Sequence, residues 1–224
     1  MNEQISVIIP TLNEEQVIAA TLRYILKDPL VNEVIVVDGG SKDSTLEIVA
    51  AFQKVRILHG SKGRAIQMNV GAEAARGDIL FFLHADTIVP LGACERIRES
   101  LNQKSVVGGS FYLEFQEENK VLSLIAGFTR INLAISTFGD QGLWLRRETF
   151  FAIGGDPEVP IMEDVEIQYP LRAMGQFVKL DMPLVSSARR FLKNGILYQI
   201  WLDACILTAY LFGVPPEVLA KWYR

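Results

Sequence analysis

Apolar and polar positions alternate in blocks along the first part of this chain. Ile5 to Ile9 is an apolar, largely β-branched run of strand length, and the polar loop Pro10-Thr11-Leu12-Asn13 follows it. From Glu14 to Leu26, apolar residues recur at Val17, Ile18, Leu22, Ile25 and Leu26, a helical period that Pro29 closes. Val34 to Val37 predicts a second strand ending in Asp38-Gly39-Gly40-Ser41, and Ser41 or Asp43 can cap a helix over Ser44 to Phe52. A third strand is expected over Val55 to Leu58, an Ala-rich helix over Gly63 to Ala75, and a fourth strand over Ile79 to Leu83. Four strand–helix repeats in about 85 residues predict an α/β fold. Its centre is a doubly wound, mainly parallel sheet with helices on both faces.

The second half reads differently. Pro90 to Leu101 has a helical pattern, and Ser110 to Phe115 alternates like a half-exposed strand inside Val106 to Phe115. Helices are expected over Asn119 to Ile135, Arg147 to Ile153 and Glu163 to Met174, the last stopped by Gly175. Gly142 to Leu145 predicts a short strand, and Phe177 to Leu180 and Leu184 to Ser187 predict two edge strands. No linker or repeat divides the chain, so one domain over 1–224 is expected. Within it, 193–224 forms a C-terminal helical segment. The apolar stretch Gly195 to Gly213 carries Gln199, Asp203 and Thr208, which weighs against a membrane span. Arg189, Arg190 and Lys193 precede it, and Lys221 and Arg224 follow. Such a helix packs on the core or on a second subunit, or lies on an anionic membrane surface.

Composition narrows the classes. With 224 residues and 50% hydrophobic content, the chain is long enough for a sizeable core. A net charge of -4 speaks against nucleic-acid binding. Cys94 and Cys205 have no metal spacing and read as reduced thiols. The N-terminus runs into a strand pattern without a basic and apolar leader, so no signal peptide is expected. The expected location is cytoplasmic, including the inner face of the membrane.

The polar strand tips carry the candidate chemistry, because ligands of open α/β sheets bind at the carboxyl ends of the strands. Leu80-Phe81-Phe82-Leu83-His84-Ala85-Asp86 ends a buried strand in a carboxylate, which either caps the next turn or holds a divalent cation on a diphosphate. Pro10 to Glu14 offers N–H groups and side-chain oxygens to a ligand, or simply caps the first helix. Asp38 can accept from a ribose hydroxyl or a base, and its two glycines allow a tight turn beside a ring. Gly60-Ser61-Lys62-Gly63-Arg64 lacks the Walker spacing but can neutralise a diphosphate, or stand as a solvated basic turn. No Gly-x-Gly-x-x-Gly follows the first strand, which weighs against a dehydrogenase. Trp144 is either core or a sugar platform.

Taken in order, these pieces resemble family 2 glycosyltransferases of the GT-A fold from about Ser6 to the 190s. The resemblance rests on Val7 to Glu14, Val36 to Thr45, Gly63-Arg64-Ala65 with Asn69 to Ala72, Phe82 to Asp86, and Met162-Glu163-Asp164. It is strongest to a small bacterial subgroup with Gly-Arg-Ala and Gly-Asp-Gln-Gly motifs, here Gly63 to Ala65 and Gly139 to Gly142. The resemblance implies that Pro10, Thr11, Asn13 and Glu14 line a nucleotide pocket and that Asp38 holds uracil or ribose. Ser41, Asp43, Arg64 and Ala85 are the further nucleotide-side candidates. Asp86 is implied as the metal carboxylate of an Asp-x-Asp motif, and Asp164 as general base with Glu163 as the alternative. Arg190 is implied near the diphosphate, and Asp140 and Gln141 on the donor or acceptor side.

Two positions depart from the family pattern. His84 replaces the first Asp of Asp-x-Asp, which makes a transition metal, Mn²⁺ rather than Mg²⁺, the better expectation. Phe191 replaces the Trp after Arg190. The resulting expectation is inverting, metal-dependent transfer from a nucleotide sugar, a UDP-sugar first, to an unidentified hydroxyl acceptor. The apolar helices permit a lipid-linked acceptor such as a polyprenol phosphate or a carotenoid-like lipid, and equally a homodimer interface. The alternatives are a degenerate transferase fold acting as a nucleotide-binding or membrane-associated scaffold, and a sugar-nucleotide pyrophosphorylase. The latter is disfavoured by Pro10-Thr11-Leu12-Asn13, where a Gly-rich cationic loop is needed.

Overall fold

A computed structural model describes residues 3–223; Arg224 lies outside the described residues. Strands β1 (Ile5–Thr11), β2 (Val31–Asp38), β3 (Val55–His59) and β4 (Ile79–Phe82) pair in parallel, in the order β3-β2-β1-β4. The sheet continues through β7 (Leu143–Arg146), β6 (Val106–Phe115), β8 (Gln176–Ser186) and the two-residue β5 (Thr87–Ile88). Antiparallel pairing enters at β7, on both its sides, and at β5.

Side chains of a strand alternate between the faces, and the core divides accordingly. Ile5, Val7 and Ile9 face one cluster, under helices α1 (Ile18–Ile25) and α4 (Ala93–Leu101). Ile8, Ile35, Val37, Leu80 and Phe82 face the other, under α3 (Arg64–Ala74), α6 (Arg147–Ala152) and α8 (Gln168–Met174). Helices therefore cover both faces. A third cluster joins Met162 and Val165 to Ile206 of α10 (Ile196–Leu211) and Leu219 of α11 (Pro216–Trp222).

The chain winds outward from β1 through β2 (with α2, Thr45–Ala50, between β2 and β3) and then reverses to β4 on the other side of β1. The reversal opens a crevice beyond the carboxyl ends of β1 and β4, where ligands of such sheets bind. β1 runs to Thr11, two residues past its expected end, with Pro10 opposite Val37. Pro10 is tolerated because β4 pairs with β1 only as far as Ile8, so the missing N–H is not needed.

Other expectations change for identifiable reasons. The first helix starts at Ile18, after a turn closed on the Glu14 carbonyl. The helix expected to reach Ile135 is α5 (Lys120–Phe128); the Thr129 hydroxyl turns back to the Ala126 carbonyl and accepts from Leu113 N–H. Residues 163–174 form two helices, α7 (Glu163–Glu166) and α8, because Pro170 has no N–H for the Glu166 carbonyl. The two expected edge strands are one interior strand, β8, between β6 and β5. Its register shifts between Leu180 and Pro183, a bulge that accommodates the proline. Trp144 is fully buried and packs where Gly109 leaves room, so it is core.

α3 lies close on the sheet because its contact face is Gly71, Ala72 and Ala75. A methyl at Gly71 would overlap Ile8 Cγ2 and stand 3.2 Å from Val37 Cγ2. Gly71→Ala is expected to destabilise the fold by about 1–3 kcal/mol, read from the shift of the urea unfolding midpoint.

Candidate active site

The tips of β1 and β2 are stitched together before any ligand arrives. Gln67 of α3, 4% exposed, donates from its amide to the carbonyls of Thr11 (2.9 Å) and Val37 (2.6 Å). Thr11 is buried, its hydroxyl donating to the Val37 carbonyl. Asp38 is 1% exposed and accepts from the N–H groups of Gly40 and Ser41, which turns the loop after β2. Asn13 takes a positive φ of 56°, which Asn tolerates, and clamps the facing loop. Its N–H donates to Ser41 Oγ and its Oδ1 accepts from Lys42 N–H. Asp43 accepts from Thr45 and from Glu15 N–H. Ala85 is buried, its carbonyl accepting from the Thr21 hydroxyl. These residues thus form the rim, in which Asn13 is braced on Ser41 and Asp43 on Glu15 and Thr45.

Beside this rim lies a corner held by Arg189. Arg189 donates to Glu14 Oε2 (2.8 Å) and to Asp86 Oδ2 (3.3 Å). It sits at the start of α9 (Arg189–Asn194), 103 residues from Asp86 in sequence. Burial raises the Glu14 pKa despite this partner. Arg190, the residue expected here, stacks on the Tyr223 ring at 3.7 Å and pairs with Asp203 at 3.4 Å, although Asp140 and Arg64 also feel its charge. Phe191 packs edge-on against Phe115.

The second half closes a cavity lined by Pro10, Arg64, His84, Asp156, Glu163 and Asp164 among others. Met162, buried and at a positive φ of 68°, turns the chain so that Glu163 and Asp164 face α3. Holding a non-glycine residue there costs on the order of 1 kcal/mol or more. Arg64 repays part of that strain, donating to Glu163 Oε1 at 2.7 Å across 99 residues of sequence. Asp164 accepts from Gly139 N–H at 2.7 Å. Burial, then the neighbouring Glu163 charge, pushes its pKa up to about 7.

The loop over Gly139–Gln141 is held from below. Gln141 is fully buried, its amide donating to the Ser136 carbonyl and its oxygen accepting from Lys179 Nζ at 2.6 Å. Burial and the Arg172 charge lower the Lys179 pKa to about 7. Asp140 has a buried Oδ1 with no hydrogen-bond partner, and burial, then the charge of Asp86, raises its pKa to about 6.

The two candidate metal residues separate. His84 lines the cavity, its Nε2 against Gly139, where a methyl would stand 2.7 Å away. Burial and the Arg64 charge lower its pKa and keep the ring neutral. Asp86 belongs instead to the corner with Glu14 and Arg189. Among the described residues, no three His, Cys, Asp or Glu side chains are gathered for an ion. The corner still suits a hard cation that takes its other ligands from a diphosphate, since Asp140 Oδ1 has no partner and feels the charge of Asp86.

Sequence reading missed Arg189, Gln67, Lys179 and Asp156. The signal for Asp156 was available: Gly154-Gly155-Asp156-Pro157 is a turn leading into Met162-Glu163-Asp164. Asp156 is 3% exposed, and burial, then the charges of Glu163 and Asp164, raises its pKa to about 8.

An open sheet with its polar groups at the reversal of strand order, joined by a mixed second half, is the GT-A arrangement of nucleotide-sugar transferases. The solved structures agree: a Pyrobaculum calidifontis mannosyltransferase in complex with GDP-Man and Mn²⁺ superposes with a TM-score of 0.73 at 20% identity, covering 99% of this chain and 69% of that one. S. aureus TarS in complex with UDP-GlcNAc gives 0.67 at 19% identity, covering 83% and 59%. The family model described as Glycosyl transferase family 2 matches residues 6–155, and the chain belongs to that family. Among curated relatives, the Streptococcus pneumoniae glycosyltransferase GlyG is 36% identical over 121 residues, 50% of this chain and 40% of that protein. The Bacillus subtilis probable glycosyltransferase YdaM is 25% identical over 206 residues, 79% of this chain and 48% of that protein. The chain thus spans less than half the length of these two relatives. Asp156, Glu163 and Asp164 lie beyond the matched segment, so their roles rest on geometry.

The raised carboxyls set a pH dependence of stability. While protonated in both states, below about pH 4, Asp156 carries its full stabilising effect. That effect is lost as pH rises through its folded value of about 8. Asp156→Asn removes the titration, so its melting temperature should exceed that of the parent chain above pH 8 and lose that advantage near pH 5, read by calorimetry across pH.

Proposed function

We propose that this chain transfers a sugar, with inversion, from a nucleotide-sugar donor to a hydroxyl acceptor. The observation that carries the reading is the placing of two unlike carboxylates: Asp86 paired with Arg189 at the nucleotide rim, and Asp164 buried under the Gly139 N–H in the cavity lined by Pro10 and His84. The nucleotide sugars held by the solved relatives, UDP-GlcNAc and GDP-Man, support a donor of this class, and a UDP-sugar is the first choice.

Asp38, Ser41, Asp43, Asn13 and Glu14 form the rim that meets base and ribose, with Pro10, Thr11 and Ala85 as its floor. Asp86, backed by Asp140, would hold a divalent cation, Mn²⁺ or Mg²⁺. Such an ion would offset the charge of the departing diphosphate. Arg189, with Arg190 nearby, supplies positive charge to the same group. Asp164 takes the acceptor proton as the acceptor oxygen bonds to the anomeric carbon and the carbon–phosphate oxygen bond breaks. A base with a pKa near the working pH is suited to that transfer. Glu163 is engaged by Arg64, which leaves Asp164 as the base. His84, neutral and on the cavity wall, is read as a donor or acceptor contact.

α10 exposes Leu197 (74%), Trp201 (61%) and Phe212 (86%), and no helix of the described residues is long and apolar enough to cross a membrane. This face supports contact with a membrane surface, a lipid-linked acceptor or a second subunit.

The test is a screen of nucleotide sugars for slow hydrolysis or thermal shift in Mn²⁺; no response to any donor sinks the reading. Asp164→Asn should lower transfer by about 10²- to 10⁴-fold with UDP affinity retained in calorimetry. In the parent chain, kcat should fall as pH drops through about 7, where Asp164 takes up its proton. Asp86→Ala should abolish the Mn²⁺-dependent part of UDP binding while leaving any metal-free binding in place.

A further inference from the structure

The cavity at Asp164 holds more acid than the mechanism uses. Asp156, Glu163 and Asp164 line it, and Arg64 is the cation among its lining residues. That guanidinium is already bonded to Glu163. Neutral His84 adds no charge.

Asp156 stands apart within this set. Its carboxyl is buried at 3% exposure, and neither oxygen has a hydrogen-bond partner. The fold does not let it turn away. Gly154 and Gly155 both take positive φ, 91° and 84°, and bring the chain back toward α3. There the Asn69 side chain clamps the Asp156 backbone from both sides: Asp156 N–H donates to Asn69 Oδ1 at 2.8 Å, and Asn69 Nδ2 donates to the Asp156 carbonyl at 2.9 Å. A side chain at Gly155 would stand 2.9 Å from Asn69 Oδ1, so that clamp depends on the glycine. A buried polar group left unpaired on a backbone fixed this firmly is poised for a ligand.

The chemistry of that ligand follows from what the cavity lacks. An incoming phosphate or carboxylate would find no free cation, since Arg64, the cation among the lining residues, is already bonded to Glu163. A hydroxyl would meet groups that accept its proton. The raised pKa of Asp156 adds that near neutrality its carboxyl can donate as well as accept, and a hydroxyl does both. The cavity is small, with room for the hydroxyl end of a ligand and not for a whole ring, and Met68, Phe82, Leu143 and Ile167 supply its apolar wall.

We infer that Asp156 recognises the acceptor, and that the acceptor end reaching Asp164 is a neutral, hydroxyl-bearing group, a sugar or polyol, rather than a phosphate or carboxylate. The inference rests on the glycosyl-transfer reading of the same site. It removes polyprenol phosphate as the reacting end, and keeps lipids that present a free hydroxyl or a neutral sugar.

The experiment compares glycerol and methyl glucoside with glycerol 3-phosphate and glucose 6-phosphate on the full chain. Binding is read by thermal shift without donor, and KM by UDP release with the active donor. The neutral compounds are expected to protect and to saturate, with the phosphate esters about tenfold weaker or worse. Asp156→Asn should raise the neutral acceptor's KM about tenfold while UDP affinity by calorimetry holds, which shows that the variant is folded. Phosphate esters that bind as well as the neutral compounds overturn the inference. So do neutral compounds that give no protection at their highest soluble concentration, or an acceptor KM unmoved in Asp156→Asn. If the neutral compounds protect the parent chain selectively and Asp156→Asn loses that protection, but no nucleotide sugar is hydrolysed, the glycosyl-transfer reading fails and the recognition by Asp156 stands.

Discussion

The ion pair between Arg64 and Glu163 is the constraint on which the second half of the site depends. It links the start of α3 to the start of α7, elements 99 residues apart, at 2.7 Å. Glu163 is almost buried while Arg64 is nearly half exposed. Solvent therefore screens one end, and the value of the pair lies less in net stability than in the penalty for leaving Glu163 alone. With Glu163 held, the strained backbone at Met162 is tolerated and Asp164 lands beneath the Gly139 N–H.

That geometry divides the carboxylates by environment. Near Asp86, Arg189 offsets two acids and the pocket is open to the strand tips. Around Asp164, burial and like charge dominate, and protons are held to higher pH. The same residue type thus meets two environments, one offset by a cation and one desolvated beside its own kind. The Gly139–Gln141 loop meets both environments, Gly139 N–H bonding Asp164 and Asp140 feeling the Asp86 charge, and it is pinned by Lys179 beneath Gln141. His84 lines the cavity, while Asp86 pairs with Arg189.

Much of the frame was legible in the chain. Apolar β-branched runs with helical patterns between them forced parallel strands, and their polar ends had to share one sheet edge. Asp38, Asp86 and Asp164 were visible because each ends or begins an element and carries a charge with no local partner. The errors have local causes. Pro183 looked like a strand end but sits in a bulge, and Pro170 broke a helix whose apolar period ran straight through it. Arg189 and Arg190 are indistinguishable as neighbours in sequence. Only the direction of α9 sends one to Glu14 and Asp86 and the other to Tyr223 and Asp203.

The sequence by itself determined the class of fold, the edge of the sheet where chemistry gathers and the residue types available there. Periodicity and capping act over a few residues, so they can be read from a few residues. The tertiary structure decided which acids are paired, which are buried and which are left alone. Gln67 reaches across two strands, Arg64 spans half the chain, and Asp156 is unpartnered because Asn69 fixes its backbone and nothing else meets its carboxyl. Desolvation and pairing depend on neighbours brought together by folding. The chemistry of each carboxyl is therefore a property of the packed molecule and is not written in the residue's place along the chain.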